Sequence, residues 1–163
     1  MYSIGIGTNI NPRTNICMIF RRLFIISSII HISRIIETEP VGIESKNIFL
    51  NCCACIYSNY DYRELKYQLN GIEEQLGRDR NDKGRKIKDR PADIDILFYI
   101  PKGTSFISAD KIPQASYVRP ILVELLSFLG IRCGIPTVLA PSGTEVRING
   151  KLVGKKPVTI EIQ

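Results

Sequence analysis

The sequence predicts an α+β fold, and three observations support this class. Short runs rich in Ile, Val and Cys recur along the chain, as is typical of buried strands. Two intervening segments carry apolar residues at spacings of three and four, which indicates helices with one apolar face. Up to Tyr99 the order is β-α-β-β-α-β, that of a ferredoxin-like sandwich, and an additional C-terminal helix and β-hairpin follow. Another arrangement of the same elements stays open at this point, because element order alone does not determine topology.

The first half of the chain supplies three strands and a helix. Ser3–Gly7 is an apolar run before Gly-Thr-Asn and predicts a strand ending in a turn. Asn11-Pro12 opens a helix, and its predicted core face consists of Ile16, Ile19, Phe20, Leu23 and Phe24. The β-branched residues of Ile29–Ile36 predict the second strand, which stops before Pro40. Ile48–Tyr57 predicts the third strand.

The second half begins with a helix that starts near Asp61 and ends at Gly77. Its predicted core face consists of Leu65, Leu69, Ile72 and Leu76. Ala92–Tyr99 predicts a strand, and Val118–Leu129 has a helical pattern. In the tail, Asn149-Gly150 separates two short alternating segments and predicts a hairpin turn.

Length and composition predict one domain over residues 1–163. The motifs quoted below place its motif-bearing core at 1–130 and leave a divergent tail at 131–163. Hydrophobic residues make up 44% and charged residues 23%, which are ordinary values for a globular protein, and the net charge of +6 favours an anionic partner. The Ile-rich stretch 16–36 is interrupted by Arg21, Arg22, His31 and Arg34, so it does not predict a membrane span. We therefore expect a cytoplasmic monomer without a membrane partner.

Five cysteines occur at positions without a disulfide framework. Cys52 and Cys55 have C-x-x-C spacing, but a closed zinc site needs four ligands and the sequence offers no second pair. The run FLNCCACIY favours a buried strand in which cysteine acts as a small hydrophobic residue. His31, the single histidine, lies among isoleucines, which favours a structural role.

Two aspartates on the last predicted strand of the core form the candidate metal site. Alternation places Asp93 and Asp95 on one strand face and Ile94 and Ile96 on the other. Carboxylates about 7 Å apart at the backbone can converge on hard cations such as Mg²⁺, which one or two carboxylates usually hold together with phosphates and water. The alternative is that both aspartates pair with nearby arginines on a solvated face.

Residues 78–90 precede this strand and carry seven basic side chains against three acidic ones. Cations on a loop beside a metal site suit a polyphosphate, which arginine can bind through two parallel hydrogen bonds. A solvated charged loop and a nucleic-acid contact surface are the alternatives, although no interleaved aromatic residues offer a stacking platform. No G-x-x-x-x-G-K-[ST] motif is present.

Five segments together resemble the 6-hydroxymethyl-7,8-dihydropterin pyrophosphokinase family. They are GTN at 7–9, ETEPVG at 37–42, FLN at 49–51, IEEQLGRDR at 72–80 and DRPADIDILFY at 89–99. The resemblance implies a ferredoxin-like fold and transfer of the β,γ-pyrophosphoryl group of ATP to the pterin hydroxymethyl oxygen, with release of AMP. It implies ATP and the pterin as substrates, two Mg²⁺ ions as cofactors, and no nucleic-acid partner.

The resemblance also assigns residues. Asp93 and Asp95 would bind both metal ions and act in catalysis together with Arg78 and Arg90. The implied ATP contacts are Glu73, Arg78, Arg80, Arg90, Gln114 and Arg119. The implied pterin contacts are Gly7, Thr38, Pro40, Val41, Phe49, Asn51 and Ile121. Phe49 would stack on the ring and Asn51 would hydrogen-bond it, which suits a flat heteroaromatic ligand.

Three departures from the family pattern keep a second hypothesis open. The chain has no tryptophan to help close the basic loop, and the usual Pro-His pair is Pro113-Gln114. Ile121 replaces the aromatic residue of the second pterin wall, a change that would weaken binding by about 1 kcal/mol. The alternatives to an active enzyme are therefore a catalytically impaired or re-purposed relative that binds nucleotide or pterin, and a nucleic-acid-binding protein using loop 78–90.

Overall fold

The computed structural model describes residues 1–43, 45–84, 87–136 and 138–162. In chain order the elements are β1 (Tyr2–Thr8), α1 (Pro12–Ile26), β2 (Ile29–Ile32), β3 (Ile36–Thr38), β4 (Phe49–Ile56), α2 (Tyr62–Gln75), β5 (Asp93–Tyr99), β6 (Phe106–Ile107), α3 (Arg119–Phe128), β7 (Arg132–Cys133), β8 (Val146–Ile148), β9 (Lys151–Val153) and β10 (Val158–Glu161). None of the helices in the described part of the chain is long and apolar enough to cross a membrane.

The main sheet has the strand order β10-β2-β4-β1-β5, and β3 pairs with β4 further along. All of these pairings are antiparallel. Within the core, β1 lies between β4 and β5, and β2 flanks β4 on its other side. This is the strand arrangement of a ferredoxin-like α+β sandwich, so the predicted fold class is confirmed.

Helices α1 and α2 cover one face of the sheet. The five residues predicted for the core face of α1 are all buried. Helix α2 begins with a capping box, in which the Asp61 carboxylate accepts from the Glu64 backbone N–H and the Glu64 carboxylate accepts from the Asp61 N–H, both at 2.9 Å. The helix ends before Gly77, whose φ of 95° is accessible to glycine at little cost. Both predicted helices are therefore confirmed close to their predicted limits.

Strand β4 separates two hydrophobic cores. Cys52 and Ala54 belong to the core beneath α1 and α2, whereas Cys53 and Cys55 belong to the core beneath α3. The predicted role of these cysteines as small buried residues is confirmed, since all three are nearly inaccessible to solvent. Burial raises the pKa of Cys55 to about 12. Because Cys52 and Cys55 point to opposite faces, they cannot act together on one metal ion.

The predicted strand Ile29–Ile36 differs in the structure, where it is divided into β2 and β3. At the break, the Cys53 N–H donates to the Ser33 hydroxyl at 2.9 Å instead of continuing a regular ladder. The next residue but one, Ile35, donates its N–H to Gly154 O at 3.0 Å and accepts from Thr144 N–H. The strand is interrupted because a hydroxyl and the C-terminal tail satisfy backbone groups that a neighbouring strand would otherwise bind.

The tail contains the predicted hairpin and two strands that we did not predict, β7, which pairs with β6, and β10. Strands β8 and β9 pair through a turn at Asn149 and Gly150, with φ of 47° and 78°, as a two-residue hairpin turn requires. The final strand, β10, instead pairs with β2 at the edge of the main sheet. His31 on β2 lies 2.8 Å from the Thr159 hydroxyl of β10, which agrees with its predicted structural role.

Candidate active site

A cavity of about 260 Å³ opens on the sheet face opposite α1 and α2. Its lining combines the middle of β1, the segment after β3, the start of both β4 and β5, and the residues that precede α3. The lining includes Gly5, Gly7, Thr38, Glu39, Val41, Phe49, Asn51, Arg90, Asp93, Asp95, Leu97, Pro113, Ala115 and Tyr117. Eight residues expected from the sequence to form the site are therefore brought together on one surface.

Glycines on β1 form the floor of this cavity. Gly7 lies opposite Asn51 of β4 on one side and Asp93 of β5 on the other. Gly5 lies opposite Asp95 in the next row on the same face. A Cβ atom on Gly7 would come within 2.8 Å of the Asn51 side-chain amide oxygen, closer than real Cβ atoms approach their neighbours. The floor stays open because these two positions carry no side chain.

An amide and an aromatic ring lie at the β4 end of the cavity. The Asn51 side-chain NH₂ donates to the Thr38 hydroxyl at 2.7 Å, which orients an amide that is 8% exposed. Phe49 is two residues away on the same strand face, and the Arg90 guanidinium lies 5.9 Å from its ring centroid. This end of the cavity therefore offers a stacking surface beside an oriented hydrogen-bonding group.

The β5 end carries the two aspartates, and basic side chains donate hydrogen bonds to both of them. Asp93 accepts hydrogen bonds from Arg78 through one carboxylate oxygen and from Arg90, at 2.8 Å, through the other. Asp95 accepts from the Lys66 ammonium at 3.0 Å. Burial by itself would raise the pKa of Asp93, but the hydrogen bonds and charges of both arginines outweigh it and lower that pKa. Asp93 therefore stays ionised at neutral pH.

Glu73 lies beneath these arginines and not on the cavity wall. It is 1% exposed, and its carboxylate accepts from the Ile94 N–H at 2.7 Å. Arg80 and Arg78 both pair with it, the latter at 3.2 Å, while burial raises the pKa of Glu73. The expectation that Glu73 contacts ATP stays a prediction; in the structure Glu73 lies outside the cavity lining, where its carboxylate holds the two arginines and the Ile94 N–H.

The donors at the β5 end fit a hard cation. Among the residues that the structure describes, no group of three or more His, Cys, Asp or Glu side chains could hold a metal ion. Mg²⁺ needs no such group, since it usually keeps several waters and takes one or two carboxylates together with substrate phosphates. Asp93 and Asp95 supply two carboxylates on one face, and the Asp95 side chain is 67% exposed to an incoming ligand. The site therefore fits Mg²⁺ arriving with a phosphate ligand.

Ile121 does not lie at the cavity surface, where the family resemblance placed it. It is completely buried in the core beneath α3 and is absent from the cavity lining, because it lies on the face of α3 that packs against the sheet. An aromatic side chain four residues earlier, Tyr117, lines the cavity instead. Tyr117 was not expected in the lining because the family pattern places the second aromatic wall two residues after the arginine, at Ile121.

The other expected contacts lie at the margin of the cavity. Arg119 donates to the Gln114 side-chain oxygen at 2.9 Å, so these two expected nucleotide contacts bind each other. Pro40 lies between the lining residues Glu39 and Val41 but is not itself in the lining. None of these three contributes to the cavity surface in the described part of the chain.

Asn9 is a positioning residue that the sequence analysis did not assign. It is 3% exposed, donates to the Asp89 carboxylate at 2.6 Å and accepts from the Arg90 N–H at 2.8 Å. These bonds attach Arg90 to the end of β1, next to the cavity floor. The only indication in the sequence was the GTN motif at 7–9, in which the asparagine had no assigned role.

The basic loop directs several of its charges toward acidic groups. Arg78 and Arg80 pair with Glu73, and Lys88 pairs with Asp82 at 2.5 Å. Arg85 and Lys86, which the sequence analysis counted among the basic residues of the loop, lie outside the described residues. Arg78 and Arg90 thus reach Asp93 at the acidic end of the cavity, whereas Arg80 reaches Glu73 beneath it.

Comparison with known proteins identifies the family of the chain that forms this cavity. Residues 3–127 match the model of the 7,8-dihydro-6-hydroxymethylpterin-pyrophosphokinase family. A 2-amino-4-hydroxy-6-hydroxymethyldihydropteridine pyrophosphokinase from Porphyromonas gingivalis is 31% identical over 98 residues, which are 59% of this chain and 67% of the relative.

Two larger plant proteins are also similar. A folate synthesis bifunctional protein from Arabidopsis thaliana is 36% identical over 134 residues, 78% of this chain but 26% of the relative. A mitochondrial protein of the same description and organism is 35% identical over 132 residues, 76% of this chain and 23% of the relative. The family match extends over both ends of the cavity, from the β1 glycines to the residues of α3. The chain therefore belongs to the 7,8-dihydro-6-hydroxymethylpterin-pyrophosphokinase family.

Proposed function

We propose that the cavity binds 6-hydroxymethyl-7,8-dihydropterin and ATP, and that the chain transfers the β,γ-pyrophosphoryl group between them in folate biosynthesis. The products are AMP and the pterin diphosphate. The hydroxymethyl oxygen forms a bond to the β-phosphorus of ATP, and the bond from that phosphorus to the α,β-bridging oxygen breaks. The hydroxyl proton passes to solvent.

The row Asn51–Gly7–Asp93 carries this proposal. It crosses three neighbouring strands, so the backbones of Asn51 and Asp93 are about 10 Å apart, twice the spacing between paired strands. A flat bicyclic ring held at Asn51 and lying over the bare glycine floor would direct a short substituent toward Asp93. The geometry therefore supports attack by that substituent on a phosphorus bound at the β5 end.

The β4 end suits the pterin ring. Phe49 supplies a stacking face, and Asn51, oriented by Thr38, supplies a side chain that both donates and accepts hydrogen bonds. Val41 and Tyr117 complete the surface around the ring. We propose Tyr117, in place of Ile121, as the second aromatic contact, which compensates for the aliphatic residue at position 121.

The β5 end suits the triphosphate. Asp93 and Asp95 would hold Mg²⁺, and the family resemblance implies two such ions. The metal would neutralise charge on the phosphate oxygens. Arg78 and Arg90 lie at Asp93, where they can exchange the carboxylate for phosphate oxygens. Arg80, Gln114 and Arg119 are proposed as further nucleotide contacts. Catalysis at this end relies on positioning and charge stabilisation.

The function can be tested directly by measuring AMP. We expect the purified chain, incubated with ATP, Mg²⁺ and 6-hydroxymethyl-7,8-dihydropterin, to form AMP and the pterin diphosphate in equal amounts. Reactions without pterin or with EDTA are the controls and should form neither product. AMP that does not rise above these controls would contradict the proposed reaction and favour the impaired relative considered above.

The glycine floor gives a second test of the pterin site. We expect Gly7→Ala to raise the KM for the pterin about tenfold with little change in the KM for ATP. The new Cβ would lie 2.8 Å from the Asn51 side-chain amide oxygen and displace the amide that orients the ring. Gly71→Ala on α2, where nothing lies within 4 Å of the new atom, is the matched control. Equal pterin KM values for both variants would contradict the assignment of Asn51.

Some expectations remain predictions from the sequence. These are the division into a core at 1–130 and a tail at 131–163, the monomeric state and the cytoplasmic location. The expected lack of nucleic-acid and membrane partners belongs with them.

A further inference from the structure

Lys66 of α2 reaches around the open edge of the sheet to the acidic end of the cavity. Its ammonium donates to Asp95 and to the Ile94 backbone oxygen, both at 3.0 Å. Ile94 lies between the two aspartates on β5, a strand that pairs on one side with β1. The Lys66 side chain is 28% exposed. A charge held by two acceptors is fixed in position at the carboxylate, in contrast to a freely moving surface lysine.

Glu73 makes the complementary contact two turns further along α2. Its carboxylate accepts from the Ile94 N–H at 2.7 Å, so Lys66 and Glu73 together occupy both edge groups of the same residue. Helix α2 therefore holds β5 at the point between its aspartates. This explains why the Lys66 ammonium lies at Asp95: the backbone oxygen of Ile94 anchors it there independently of the carboxylate.

The basic side chains at this end oppose the binding of a divalent cation in the absence of a nucleotide. Arg78 and Arg90 take both oxygens of Asp93, and Lys66 takes one oxygen of Asp95. A divalent ion at the aspartates would meet three positive charges at close range, and each of them would lose a carboxylate contact that it makes in the free protein. A polyphosphate changes this balance, because its oxygens can neutralise the ion and the displaced side chains together.

We propose that Lys66 is a positioning residue that competes with the divalent cation for Asp95. This inference rests on the proposed metal role of Asp95. In the free protein the ammonium weakens cation binding, so that the cation binds strongly only together with ATP. Cation and nucleotide then favour each other's binding through Lys66, and by linkage the coupling is equal in both directions.

The test measures Mn²⁺ binding to the nucleotide-free protein, with free Mn²⁺ followed by electron paramagnetic resonance. We expect Lys66→Met to lower the Kd for Mn²⁺ about tenfold, since one positive charge at contact distance is removed. Lys66→Arg, which keeps the charge, should bind Mn²⁺ as the parent chain does. Lys151→Met, which removes an equal charge from the exposed strand β9, is the matched control and should leave the Kd unchanged.

A purely structural role for Lys66 predicts a different outcome. If Lys66 only anchors β5 to α2, Lys66→Met lowers the unfolding temperature in EDTA and leaves the Mn²⁺ affinity unchanged or weaker, which overturns the proposal. Should Lys66→Met not fold, Lys66→Gln retains a donor for the Ile94 oxygen without the charge and is expected to show the same tightening. If Lys66→Met no longer lowers the Kd for Mn²⁺ in a chain that also carries Asp95→Asn, the effect acts through the proposed carboxylate. If it lowers the Kd there too, the proposal is overturned.

Failure of this inference is distinguishable from failure of the proposed function. If the parent chain forms AMP but Lys66→Met leaves the Mn²⁺ affinity unchanged, the proposed function holds and the proposed competition by Lys66 is wrong. If the parent chain forms no AMP but Lys66→Met lowers the Kd for Mn²⁺ in an Asp95-dependent way, the proposed competition holds and the proposed function is wrong.

Discussion

Asp95→Asn is expected to lower kcat for AMP formation by about a thousandfold or more while the protein stays folded. The substitution preserves shape but removes a charge proposed to hold Mg²⁺ against the ATP phosphates, and such metal stabilisation of the transition state is worth several kcal/mol. The Asp95 side chain is 67% exposed, and the Lys66 ammonium is its partner in the structure. Activity is measured by AMP release, and folding by thermal unfolding in EDTA.

Asp95 tests the metal site more cleanly than Asp93 does. Asp93 bonds both Arg78 and Arg90, so its replacement would release two phosphate-binding side chains as well as a metal ligand. Asp110→Asn provides a matched control, because this exposed aspartate lies outside the cavity lining. It is expected to retain the parent rate. Substantial AMP formation by Asp95→Asn, within tenfold of the control, would show that Asp95 is not required and would contradict the proposed metal role.

The metal end of the site was predictable because its information is local. Two aspartates at i and i+2 on an apolar strand must share a face, whatever the rest of the fold does. The partners of these aspartates were only partly predictable. The basic loop adjoins the strand, so Arg78 and Arg90 were expected nearby, whereas Lys66 comes from a helix and meets Asp95 only after α2 docks at the edge of β5. Nothing in a linear spacing indicates such a contact.

The pterin end was likewise predictable only in part. Phe49 and Asn51 were predicted from a strand motif and do line the cavity. The wall facing them comes from the connection before α3, where the chain follows neither helical nor strand periodicity. Pattern matching around Arg119 indicated Ile121, but the apolar face of α3 requires that residue for the core. Core packing decides its position, and Tyr117 in the irregular segment is left to line the cavity.

The tail was the least predictable part of the fold, since its partners are distant in sequence. The turn at Asn149 and Gly150 follows from local chemistry and was predicted. The pairing of β10 with β2 joins segments more than a hundred residues apart, and both are short runs that could pair elsewhere. The same holds for Ile35, whose N–H and C=O both bind the tail at the break between β2 and β3.

This contact at Ile35 leads to the second large prediction, that Gly154→Ala destabilises the protein by about 3 kcal/mol or more. Gly154 has a φ of 107°, a region that alanine rarely adopts. Its Cβ would also lie 2.1 Å from the Thr144 backbone oxygen, which cannot rotate away as a flexible side chain could. The tail must shift, and two hydrogen bonds are strained or lost: the one that Ile35 N–H donates to Gly154 O and the one that Thr144 N–H donates to Ile35 O.

Gly150→Ala separates the effect of the close contact from that of the backbone angle. Gly150 also has a positive φ, 78°, but nothing lies within 4 Å of the Cβ atom that alanine would add, so the expected cost is about 1 kcal/mol. For a chain of this size, thermal unfolding should show a fall in Tm of about 10 °C for Gly154→Ala and only a few degrees for Gly150→Ala. Equal shifts would mean that backbone strain alone acts and that the tail does not brace Ile35. Unequal shifts in the expected order would mean that the tail stabilises the strand break, and with it β3, whose Thr38 orients Asn51 in the cavity.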